Sequence, residues 1–481
     1  MNNKRIKLGM SRLALFFALC TLYFSPVGAQ SRDIHILVTN DMHASIENFP
    51  QLAAVVDSLR GIDPGLLVFS AGDNRTGNPM NDQYEIPSYP IVALMNLVGF
   101  NASAIGNHEF DSGSLPRLVG LSAFRYLCAN IQIDDTVGIA TIPHQVFDVG
   151  GVKVGVVGAI QVGAKGIPSS HPDNLHGIHF VQASEVLGKY EWMRRQCDVV
   201  VLLSHLGYFT DVETADKFPW FDVILGGHTH KQLPADEPLH NGVLVTQCGG
   251  YLQRAAYVTL TVDSGRVTDK RVEYIDVKKY PKKNKVIASL VESFANSPKF
   301  SRVIARAETP FGVKEELGSM ICDALKDAYG ADVALTNPGG VRLGQLPAGD
   351  ITVLDVLRFD PFDNKIVVMT LTGKQLLDLM MSCSQRRLRS FPYVSGAQCE
   401  LTPDDEDATL VKTAKVTLAD GKPLKMKQKY RVVTNSYVAS TNLSGTVVSR
   451  TYDDLTHDVI IRYLEKQKTV SYKGVRRLTV H

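Results

Sequence analysis

The sequence is dominated by apolar, β-type runs that stop abruptly and are followed at once by polar side chains. Between residues 33 and 230 this occurs in the stretches IHILVTNDMH, LLVFSAGDN, ASAIGNHEFD, DVVVLLSHLG and FDVILGGHTH. Helical patterns such as FPQLAAVVDSLRG and PSYPIVALMNLVGF lie between them. Strands rich in Val, Ile and Leu that alternate with helices indicate a layered α/β domain. We therefore predict such a domain over residues 30–275.

The character of the chain changes after residue 275. The stretch DVKKYPKKNK is basic and broken by proline, and VIASLVESFANS has a helical pattern, so residues 276–300 are predicted to form a linker and a connecting helix. From residue 301, LGSMICDALKDAYGADVALTNPGG predicts a helix and a strand, NKIVVMTLTGKQLLDLMMSC a strand, turn and helix, and KYRVVTNSYVAS a strand and turn. Residues 301–481 are thus predicted to be a second α/β domain. A chain of 481 residues is also too long for a single core.

The N-terminus has the order of regions found in a secretory signal. The basic stretch MNNKRIKLGMSR precedes the apolar block LALFFALCTLYF and the small residues of SPVGAQ. The apolar block is shorter than the roughly 20 residues that span a membrane. We predict that residues 1–29 are a signal peptide, that the protein is exported, with the periplasm as its expected destination, and that it has no stable membrane insertion.

The charge and the cysteines exclude some classes of function. Removing residues 1–29 removes four basic residues and no acid, which takes the net charge from +2 to −2. Such a balance gives no reason to expect a nucleic acid polymer as a partner. The later cysteines form no CxxC pair, so a thiolate zinc site is not expected. Cys383 and Cys399 could pair in an exported protein, or Cys383 could be a core residue on a helix.

The polar clusters bring together side chains that suit a metal site. Loops at the carboxyl ends of strands are where sites assemble in such sheets. Because every cluster follows a predicted strand, we expect their side chains to converge. These side chains are Asp41, His43, Asp73, Asn107, His108, Asp111, His205, His228 and His230.

Imidazole together with carboxylate suits Zn, Mn, Fe, Co or Ni. The set is too large for one four-coordinate ion, whereas two ions about 3.5–4 Å apart that share a carboxylate would fit it. Asp73 is the candidate bridge, because it stands alone after the second strand. Two such ions hold a phosphate and lower the pKa of a water to about 7, so that hydroxide can attack phosphorus. His108, oriented by Asp111, is the candidate donor of a proton to the leaving oxygen.

The turn VILGGHTH has a specific place in this prediction. We expect Gly106, Gly226 and Gly227 to provide backbone freedom and to allow a close approach of ligands. In an extended stretch His228 and His230 would face the same side. If the turn bends instead, the two imidazoles can serve different ions.

These motifs, in the order D-x-H, G-D, G-N-H-[ED], H and G-H-x-H, resemble the signature of the calcineurin-like metallophosphoesterase superfamily. The stretches TNPGGVR (336–342), FDPFDNKIVVMTLTGKQL (359–376) and YRVVTNSYVA (430–439) resemble the two-domain 5′-nucleotidase family within it. The resemblance implies an N-terminal β-sandwich flanked by helices (αββα) and a C-terminal α/β substrate-binding domain.

The resemblance also implies the roles of individual residues. Asp41, His43, Asp73 and His230 would hold one divalent metal ion, and Asp73, Asn107, His205 and His228 would hold the other. His108 and Asp111 would be the catalytic dyad. In the C-terminal domain Asn337 and Arg342 would contact the substrate, and Phe362 and Tyr437 would sandwich its base. Base–aromatic stacking is worth about 1–3 kcal/mol per base.

The activity implied by the resemblance is hydrolysis of nucleoside 5′-monophosphates to nucleoside and phosphate, as in nucleotide catabolism. A 2′,3′-cyclic-nucleotide phosphodiesterase with 3′-nucleotidase action, a UDP-sugar hydrolase and a non-catalytic nucleotide or metal binder are the alternatives. Two segments depart from the family. EELGS (315–319) replaces SNLGN, with Val313 or Lys314 where an arginine is expected, and STNLSGT follows Tyr437 where the family has NGGDG.

Overall fold

The computed structural model describes residues 31–442 and 447–481, which fold into two compact units. The first unit holds the described residues up to His43 together with residues 48–74 and 92–284. The second unit holds residues 44–47, 75–91 and 285–481. The predicted signal peptide, residues 1–29, lies outside the described residues.

The described residues contain strands of two to eleven residues throughout both units. They are β1 (Arg32–Thr39), β2 (Leu67–Ser70), β3 (Ala102–Ala104), β4 (Arg125–Leu127), β5 (Ile131–Ile133), β6 (His144–Val149), β7 (Val152–Ile160), β8 (Ile178–Phe180), β9 (Val199–His205), β10 (Val223–Leu225), β11 (Leu244–Thr246), β12 (Arg254–Asp263), β13 (Arg266–Asp276), β14 (Val303–Ala307), β15 (Val333–Thr336), β16 (Gly349–Thr352), β17 (Lys365–Thr372), β18 (Tyr393–Ser395), β19 (Ala397–Pro403), β20 (Val411–Leu418), β21 (Lys429–Asn435), β22 (Val448–Leu455), β23 (Thr469–Val470) and β24 (Leu478–Val480).

The α-helices of the described residues lie between these strands. They are α1 (Phe49–Arg60), α2 (Pro79–Asp82), α3 (Tyr89–Val98), α4 (Leu115–Leu121), α5 (Ala183–Val186), α6 (Met193–Gln196), α7 (Tyr208–Lys217), α8 (Lys285–Ala295), α9 (Pro298–Ser301), α10 (Lys314–Tyr329), α11 (Val353–Phe359), α12 (Gly373–Cys383), α13 (Ser436–Asn442) and α14 (Thr456–Gln467).

Two mixed sheets form the first unit. One has the strand order β13-β12-β1-β2-β3-β4, and the other has the order β11-β10-β9-β7-β6. Neighbouring strands from β1 to β4 are parallel, and so are β7, β9, β10 and β11. The carboxyl ends of β1, β2 and β3 therefore lie along one edge of their sheet, as those of β9 and β10 do in theirs.

The two sheets of the first unit face each other across one core. Ile36, Phe69 and Ala104 from one sheet pack with Val156 and Leu203 from the other, all of them fully buried. The opposite face of the second sheet is covered by helices, whose apolar side chains form a further buried cluster with those of β7, β9 and β10. This arrangement confirms the predicted sandwich with helices outside it.

The second unit is built on a five-stranded mixed sheet of order β18-β15-β21-β17-β22. Two three-stranded sheets, β16-β14-β23 and β20-β19-β24, complete it. Leu335, Met369 and Val432 of the central strands pack on Leu376 and Met380 of α12. The second unit thus has a core of its own and is an α/β structure, as predicted.

Two local details of the second unit differ from the prediction. The sequence predicts a turn between strand and helix near residue 372, but β17 ends at Thr372 and α12 begins at Gly373. Thr372 is itself the helix cap, because its side chain accepts a hydrogen bond from Gln375 N and the Gln375 side chain accepts one from Thr372 N. The turn predicted after Asn435 is the helix α13, whose start is capped by Asn435 Oδ1.

All six cysteines of the described residues are free. Cys399 is buried in the core of the second unit, and Cys383, the last residue of α12, packs against that same core. Of the two possibilities left open by the sequence, the core position is the one observed, and the pairing of Cys383 with Cys399 is not.

None of the helices within residues 31–442 and 447–481 has the length and apolar content needed to cross a membrane.

Candidate metal centre

The polar residues that follow the predicted strands meet in the first unit. Asp41 and His43 follow β1, Asp73 follows β2, Asn107 and His108 follow β3, His205 ends β9, and His228 and His230 follow β10. Because these strands present their carboxyl ends together, residues far apart in sequence come within contact distance. Three overlapping groups have potential ligand atoms within 4.8 Å of one another. They are Asp41–His43–His230, His43–Asp73–His108 and Asp73–His205–His228.

The group Asp41–His43–His230 is held closely. His230 Nε2 lies 3.2 Å from Asp41 Oδ1 and 3.0 Å from His43 Nε2. The Asp41 carboxylate is fully buried and accepts hydrogen bonds from Asn40 Nδ2 at 2.6 Å and from His228 N at 2.9 Å. Two imidazole nitrogens and a carboxylate oxygen thus converge on one position.

The group around Asp73 contains the remaining candidate ligands. His205 Nε2 lies 3.2 Å from Asp73 Oδ2, and His228 Nδ1 lies 3.0 Å from Asn107 Oδ1. The Asn107 amide donates to the Ser169 carbonyl at 3.3 Å, which directs Oδ1 towards His228. Asp73 belongs to two of the three groups, in keeping with its predicted position between two ions.

The turn at Gly226–His230 bends rather than extends. His228 and His230 have positive φ values of 77° and 53°. His228 consequently faces Asn107, whereas His230 faces Asp41 and His43. Of the two possibilities considered from sequence, the bent turn that assigns the imidazoles to different groups is the one observed.

Five residues of the site adopt the left-handed backbone conformation, which side chains other than glycine rarely adopt. They are Asp41, His43, Asp73, His228 and His230, with φ between 45° and 77°. Residues in this conformation cluster at functional sites, where the surrounding structure holds them in place. The strain therefore coincides with the candidate metal ligands.

Of the two purposes expected for the glycines beside the ligands, close approach is observed at Gly106 and Gly227 and backbone freedom is not. Gly106 and Gly227 do not have positive φ, so backbone freedom is not the reason for them. A Cβ atom at Gly106 would lie 2.2 Å from Asp73 Oδ1, and one at Gly227 would lie 3.0 Å from His205 Nδ1 and 3.1 Å from Asp41 Oδ2. These glycines are required because the site has no room for a side chain there.

His108 and Asp111 form the predicted pair, and His108 is also a member of one of the three groups. His108 Nδ1 lies 2.7 Å from Asp111 Oδ2, and His108 N donates to Asp73 Oδ1 at 2.8 Å. The imidazole ring of His108 packs edge-on against that of His43, with the ring centroids 5.1 Å apart. The pair therefore lies in direct contact with two of the candidate metal ligands, Asp73 and His43.

Glu109 has a role that the sequence analysis did not assign. Its buried carboxylate accepts hydrogen bonds from Asp73 N at 3.0 Å, Asn74 N at 2.8 Å and Gly106 N at 2.7 Å. It ties the loop after β2 to the loop after β3. Its place in the motif G-N-H-[ED] was the available signal.

Gln247 holds the turn that carries the two histidines. Its Nε2 donates to Gly227 O at 2.8 Å, and its Oε1 accepts from Thr229 Oγ1 at 2.8 Å and from Lys231 N at 2.6 Å. Gln247 follows β11, and no motif in the sequence marks it.

The imidazoles of the site differ in their affinity for protons. Burial, together with the charge of His205, lowers the pKa of His228 to about 4, and burial also lowers the pKa of His43. Both rings are therefore neutral at neutral pH and offer a lone pair. For His205, burial opposes the charged form, but the charge and hydrogen bond of Asp73 outweigh it and raise the pKa to about 10.

The carboxylates of the site and the imidazoles beside them shift each other's pKa values in opposite directions. Burial disfavours the anion of Asp73, yet the His205 charge and hydrogen bond outweigh burial and hold the pKa of this carboxyl far below its usual range. Burial alone would lower the pKa of His108. The hydrogen bond to Asp111 and the charges of Asp73, Asp111 and Glu109 outweigh burial and raise this pKa to about 9.

The donor set fits divalent metal ions. Asp41 and Asp73 are almost fully buried, and a buried negative charge requires a counter-charge. His205 Nδ1 is 2.7 Å from the Ala71 carbonyl, which orients Nε2 towards both carboxylates. Imidazole, carboxylate and amide oxygen are ligands that transition-metal ions accept.

The four predicted substrate residues lie at one end of the five-stranded sheet in the second unit. Asn337 follows β15, Phe362 precedes β17, and Tyr437 follows β21 at the start of α13. The Arg342 guanidinium lies 5.0 Å from the centre of the Phe362 ring. The charge of Arg342 acts on Lys314, whose pKa is lowered by burial and by that charge.

Hydrogen bonds link the loops that carry these residues. Asn435 at the end of β21 donates from Nδ2 to Asn337 Oδ1 at 3.3 Å, and Lys365 N donates to Ser436 Oγ at 3.1 Å. Ile366 pairs with Asn435 in the sheet, so Phe362 and Tyr437 extend from the same end of two adjacent strands. Tyr437 is 54% exposed.

Comparison with known proteins agrees with the fold. Residues 34–232 match the calcineurin-like phosphoesterase family, and residues 294–448 match the 5′-nucleotidase C-terminal domain. The protein UshA of Yersinia enterocolitica is 28% identical over 480 residues, covering 85% of each chain. The trifunctional nucleotide phosphoesterase protein YfkN of Bacillus subtilis is 25% identical over 85% of this chain, which spans only 32% of the length of that protein.

A solved structure shares the fold of this chain. The 5′-nucleotidase precursor from Thermus thermophilus superposes with a TM-score of 0.72 at 24% identity, covering 93% of this chain and 99% of that one. The two family matches follow each other in the order that defines a two-domain nucleotidase, and the first contains every candidate metal ligand. The chain therefore belongs to the two-domain 5′-nucleotidase family of calcineurin-like phosphoesterases, which are metal-dependent hydrolases of phosphoric esters.

Proposed function

We propose that the protein binds two divalent metal ions and hydrolyses nucleoside 5′-monophosphates to nucleoside and phosphate. The observation that carries this proposal is the convergence of seven candidate ligands beside the His108–Asp111 pair. The family membership supports hydrolysis of nucleotide phosphoesters in general. The number of ions, the residue roles and the 5′-monophosphate specificity are the parts that we propose.

In this proposal the two ions divide the ligands between them. Asp41, His43, Asp73 and His230 hold one ion, and Asp73, Asn107, His205 and His228 hold the other, with Asp73 shared. Zn²⁺ and Mn²⁺ are both compatible with these ligands. When bound, two such ions supply an activated water at neutral pH and hold the phosphate oxygens.

In this proposal the pair His108–Asp111 donates a proton to the leaving group. Asp111 Oδ2 accepts the hydrogen bond from His108 Nδ1, which leaves the Nε2 proton directed away from Asp111. Because the pKa of His108 is raised to about 9, the ring is protonated at neutral pH and can donate from Nε2 to the leaving ribose oxygen. The backbone bond from His108 N to Asp73 Oδ1 keeps this proton beside the metal groups.

The second unit would bind the nucleoside. Phe362 and Tyr437 offer aromatic faces at the ends of adjacent strands, and Asn337 offers an amide beside them. Arg342 lies against the Phe362 ring and brings a positive charge to this end of the sheet. Stacking by aromatic rings favours nucleobases with little preference among them.

The test is phosphate release from a panel of substrates in the presence of Mn²⁺ or Zn²⁺. The panel contains 5′-AMP, 3′-AMP, 2′,3′-cyclic AMP, UDP-glucose and p-nitrophenyl phosphate. We expect the highest kcat/KM for 5′-AMP. Preference for the cyclic nucleotide or for UDP-glucose would replace the proposed substrate by that alternative, and equal kcat/KM on all monoesters would mean that the second unit does not select nucleotides.

Replacement of His108 by alanine tests the division between metal binding and catalysis. We expect the metal content to remain and turnover of 5′-AMP to collapse. Unchanged turnover would contradict the dyad assignment, and loss of metal would place His108 among the ligands.

We further propose that the protein is exported to the periplasm after cleavage following Ala29. The support is the order of basic, apolar and small residues in positions 1–29. Cell fractionation and N-terminal sequencing of the mature protein test this, with Gln30 expected as the first residue. A mature protein in the cytoplasm that still begins at Met1 would contradict it.

A further inference from the structure

Tyr251 packs against two of the candidate metal ligands. Its ring centroid lies 5.0 Å from that of His43, at an interplanar angle of 32°, and 5.5 Å from that of His230, at 89°. The tyrosine ring thus packs on His43 in a tilted geometry, while the rings of Tyr251 and His230 meet at a right angle. No other aromatic ring described in the structure pairs with both of these imidazoles.

The backbone at Tyr251 is held in a conformation that bulky residues rarely adopt. Tyr251 and Leu252 have φ values of 57° and 48°, and neither is glycine. Tyr251 N donates to Asp41 O at 2.7 Å, and Tyr251 O accepts from Asn48 Nδ2 at 3.3 Å. These two bonds fix the residue to the loop after β1, so the position of its ring is tied to that of Asp41.

His230 is oriented differently from the other imidazoles of the site. His205 Nδ1 is engaged by the Ala71 carbonyl, and His108 Nδ1 by Asp111. Within the described part of the chain, His230 Nδ1 makes no hydrogen bond, and its Nε2 faces Asp41 and His43.

Packing takes the place of that hydrogen bond at His230. A Cβ atom at Gly250 would lie 3.1 Å from His230 Nδ1, which shows how closely the backbone abuts the ring. Tyr251 meets the same imidazole ring at a right angle. Metal-binding histidines are usually oriented by a hydrogen bond from the second nitrogen, and loss of such support lowers metal affinity.

We propose that Tyr251 is a positioning residue that fixes His43 and His230 for binding of the metal ion held by Asp41, His43 and His230. This inference rests on the proposed two-ion function and goes beyond it, since it assigns the orientation of one ion's ligands to an aromatic ring. The Tyr251 side chain itself neither ligates the ion nor contacts the reacting phosphate in this role.

The substitutions that test the proposal leave the fold in place. Tyr251 is 45% exposed, so Tyr251→Leu removes the ring without opening a core cavity. Tyr251→Phe keeps the ring and is the conservative rescue. Tyr257 is a matched control, because it stacks on His35, outside the site, with centroids 5.3 Å apart. Tyr257→Leu therefore removes a tyrosine–histidine contact of the same kind elsewhere in the first unit.

The measurement is a titration of the chelator-treated protein with Mn²⁺ by isothermal titration calorimetry. For the unsubstituted protein we expect two binding events. Tyr251→Leu should weaken one of them by about 10-fold or more, as for loss of a residue that orients a ligand. The other event should stay unchanged, and Tyr251→Phe and Tyr257→Leu should bind like the unsubstituted protein.

His230→Ala identifies which event is affected. This variant should lose the same binding event, and adding Tyr251→Leu to it should change nothing further, because the coupled position is already gone. The KM for 5′-AMP at saturating Mn²⁺ should remain unchanged in Tyr251→Leu, while the Mn²⁺ concentration for half-maximal activity should rise.

The outcomes separate this inference from the proposed function. Two unchanged Mn²⁺ affinities in Tyr251→Leu would overturn the inference and leave the two-ion function standing. A raised KM with unchanged Mn²⁺ affinities would also overturn it, because Tyr251 would then contact the substrate. A protein that binds fewer than two ions before any substitution would overturn the proposed function itself.

Discussion

If His108 and Asp111 form a catalytic dyad, the effect of the Asp111 charge on activity can be measured separately from the effect of losing His108. The Asp111→Asn substitution keeps an acceptor oxygen near His108 Nδ1 but removes the carboxylate charge. In the structure this carboxylate lies 2.7 Å from the ring, and both side chains are partly exposed, at 34% for His108 and 27% for Asp111. The substitution therefore changes the pKa of His108 without disturbing a packed core.

The magnitude follows from the pKa of His108. A pKa of about 9 leaves about 97% of the rings protonated at pH 7.5, whereas a pKa of 6.5, the ordinary value, leaves about 9%. If Asp111 carries most of the shift, Asp111→Asn lowers kcat about tenfold at pH 7.5, because only the protonated ring donates to the leaving oxygen. His108→Ala removes the acid at every pH and should cost about 10²- to 10⁴-fold.

The assay compares two substrates over pH 6 to 10 at saturating Mn²⁺. The leaving group of a nucleoside 5′-monophosphate is the nucleoside, whose 5′-alkoxide needs a proton, whereas the leaving group of p-nitrophenyl phosphate is p-nitrophenolate, a stable anion. For the unsubstituted protein, kcat on 5′-AMP should fall as the pH rises above about 9. In Asp111→Asn that fall should begin at lower pH, and activity on 5′-AMP should recover when the pH is lowered towards 6.

Activity on p-nitrophenyl phosphate is the internal control for metal retention at each pH. It should change little in Asp111→Asn. The reasoning would be refuted if Asp111→Asn left the pH dependence of kcat on 5′-AMP unchanged. It would also be refuted if the substitution lowered kcat equally on both substrates, because neither result fits a proton donor whose pKa is set by Asp111.

Three further predictions concern other parts of the molecule. Gly106→Ala should abolish high-affinity Mn²⁺ binding in a protein that still unfolds cooperatively, because the new Cβ would lie 2.2 Å from Asp73 Oδ1; normal binding in calorimetry would contradict this. Glu109→Ala leaves three buried N–H groups without their acceptor and should lower the free energy of unfolding in urea by at least about 3 kcal/mol, with a smaller loss for Glu109→Gln. Phe362→Ala should raise the KM for 5′-AMP about 5- to 150-fold, for a stacking energy of about 1–3 kcal/mol, and leave that for p-nitrophenyl phosphate unchanged.

The sheet architecture could be predicted because its signal is local. Strands such as β9 and β10 are short runs rich in Val, Ile and Leu, and polar residues follow β1, β2, β3, β9 and β10. Since helical patterns separate the runs, parallel pairing follows, and with it the meeting of the strand ends. The observed pairing of β1 with β2 and of β9 with β10 is what this reasoning requires.

The details that escaped prediction depend on hydrogen bonds over short distances in the chain. The turn expected near residue 372 is absent because one threonine both ends a strand and caps a helix. The turn expected after β21 is a helix because Asn435 Oδ1 accepts from Val438 N at 2.8 Å. Residue propensity alone does not decide such cases, because a single capping residue determines whether the backbone forms a turn or a helix.

Contacts between distant parts of the chain could not be predicted from the sequence for a different reason. The motif gives the identity of Asp41 and His43, but nothing near residue 251 indicates that a tyrosine will pack on them. Of the two grounds predicted for the glycines, close approach holds, whereas backbone freedom does not. Gly106 is required by the position of Asp73, which belongs to another loop, and not by its own φ. Such requirements arise only once two loops are brought together.

The exposure of the imidazoles explains why one of them suits acid catalysis. His108 and His205 both have a raised pKa, of about 9 and about 10, and both face Asp73. His205 is fully buried, and its Nδ1 is engaged by the Ala71 carbonyl. His108 is 34% exposed, and its partner Asp111 belongs to no metal group among the described residues. In the proposed mechanism, His108 would therefore give up a proton to the leaving oxygen and regain one from water in each turnover.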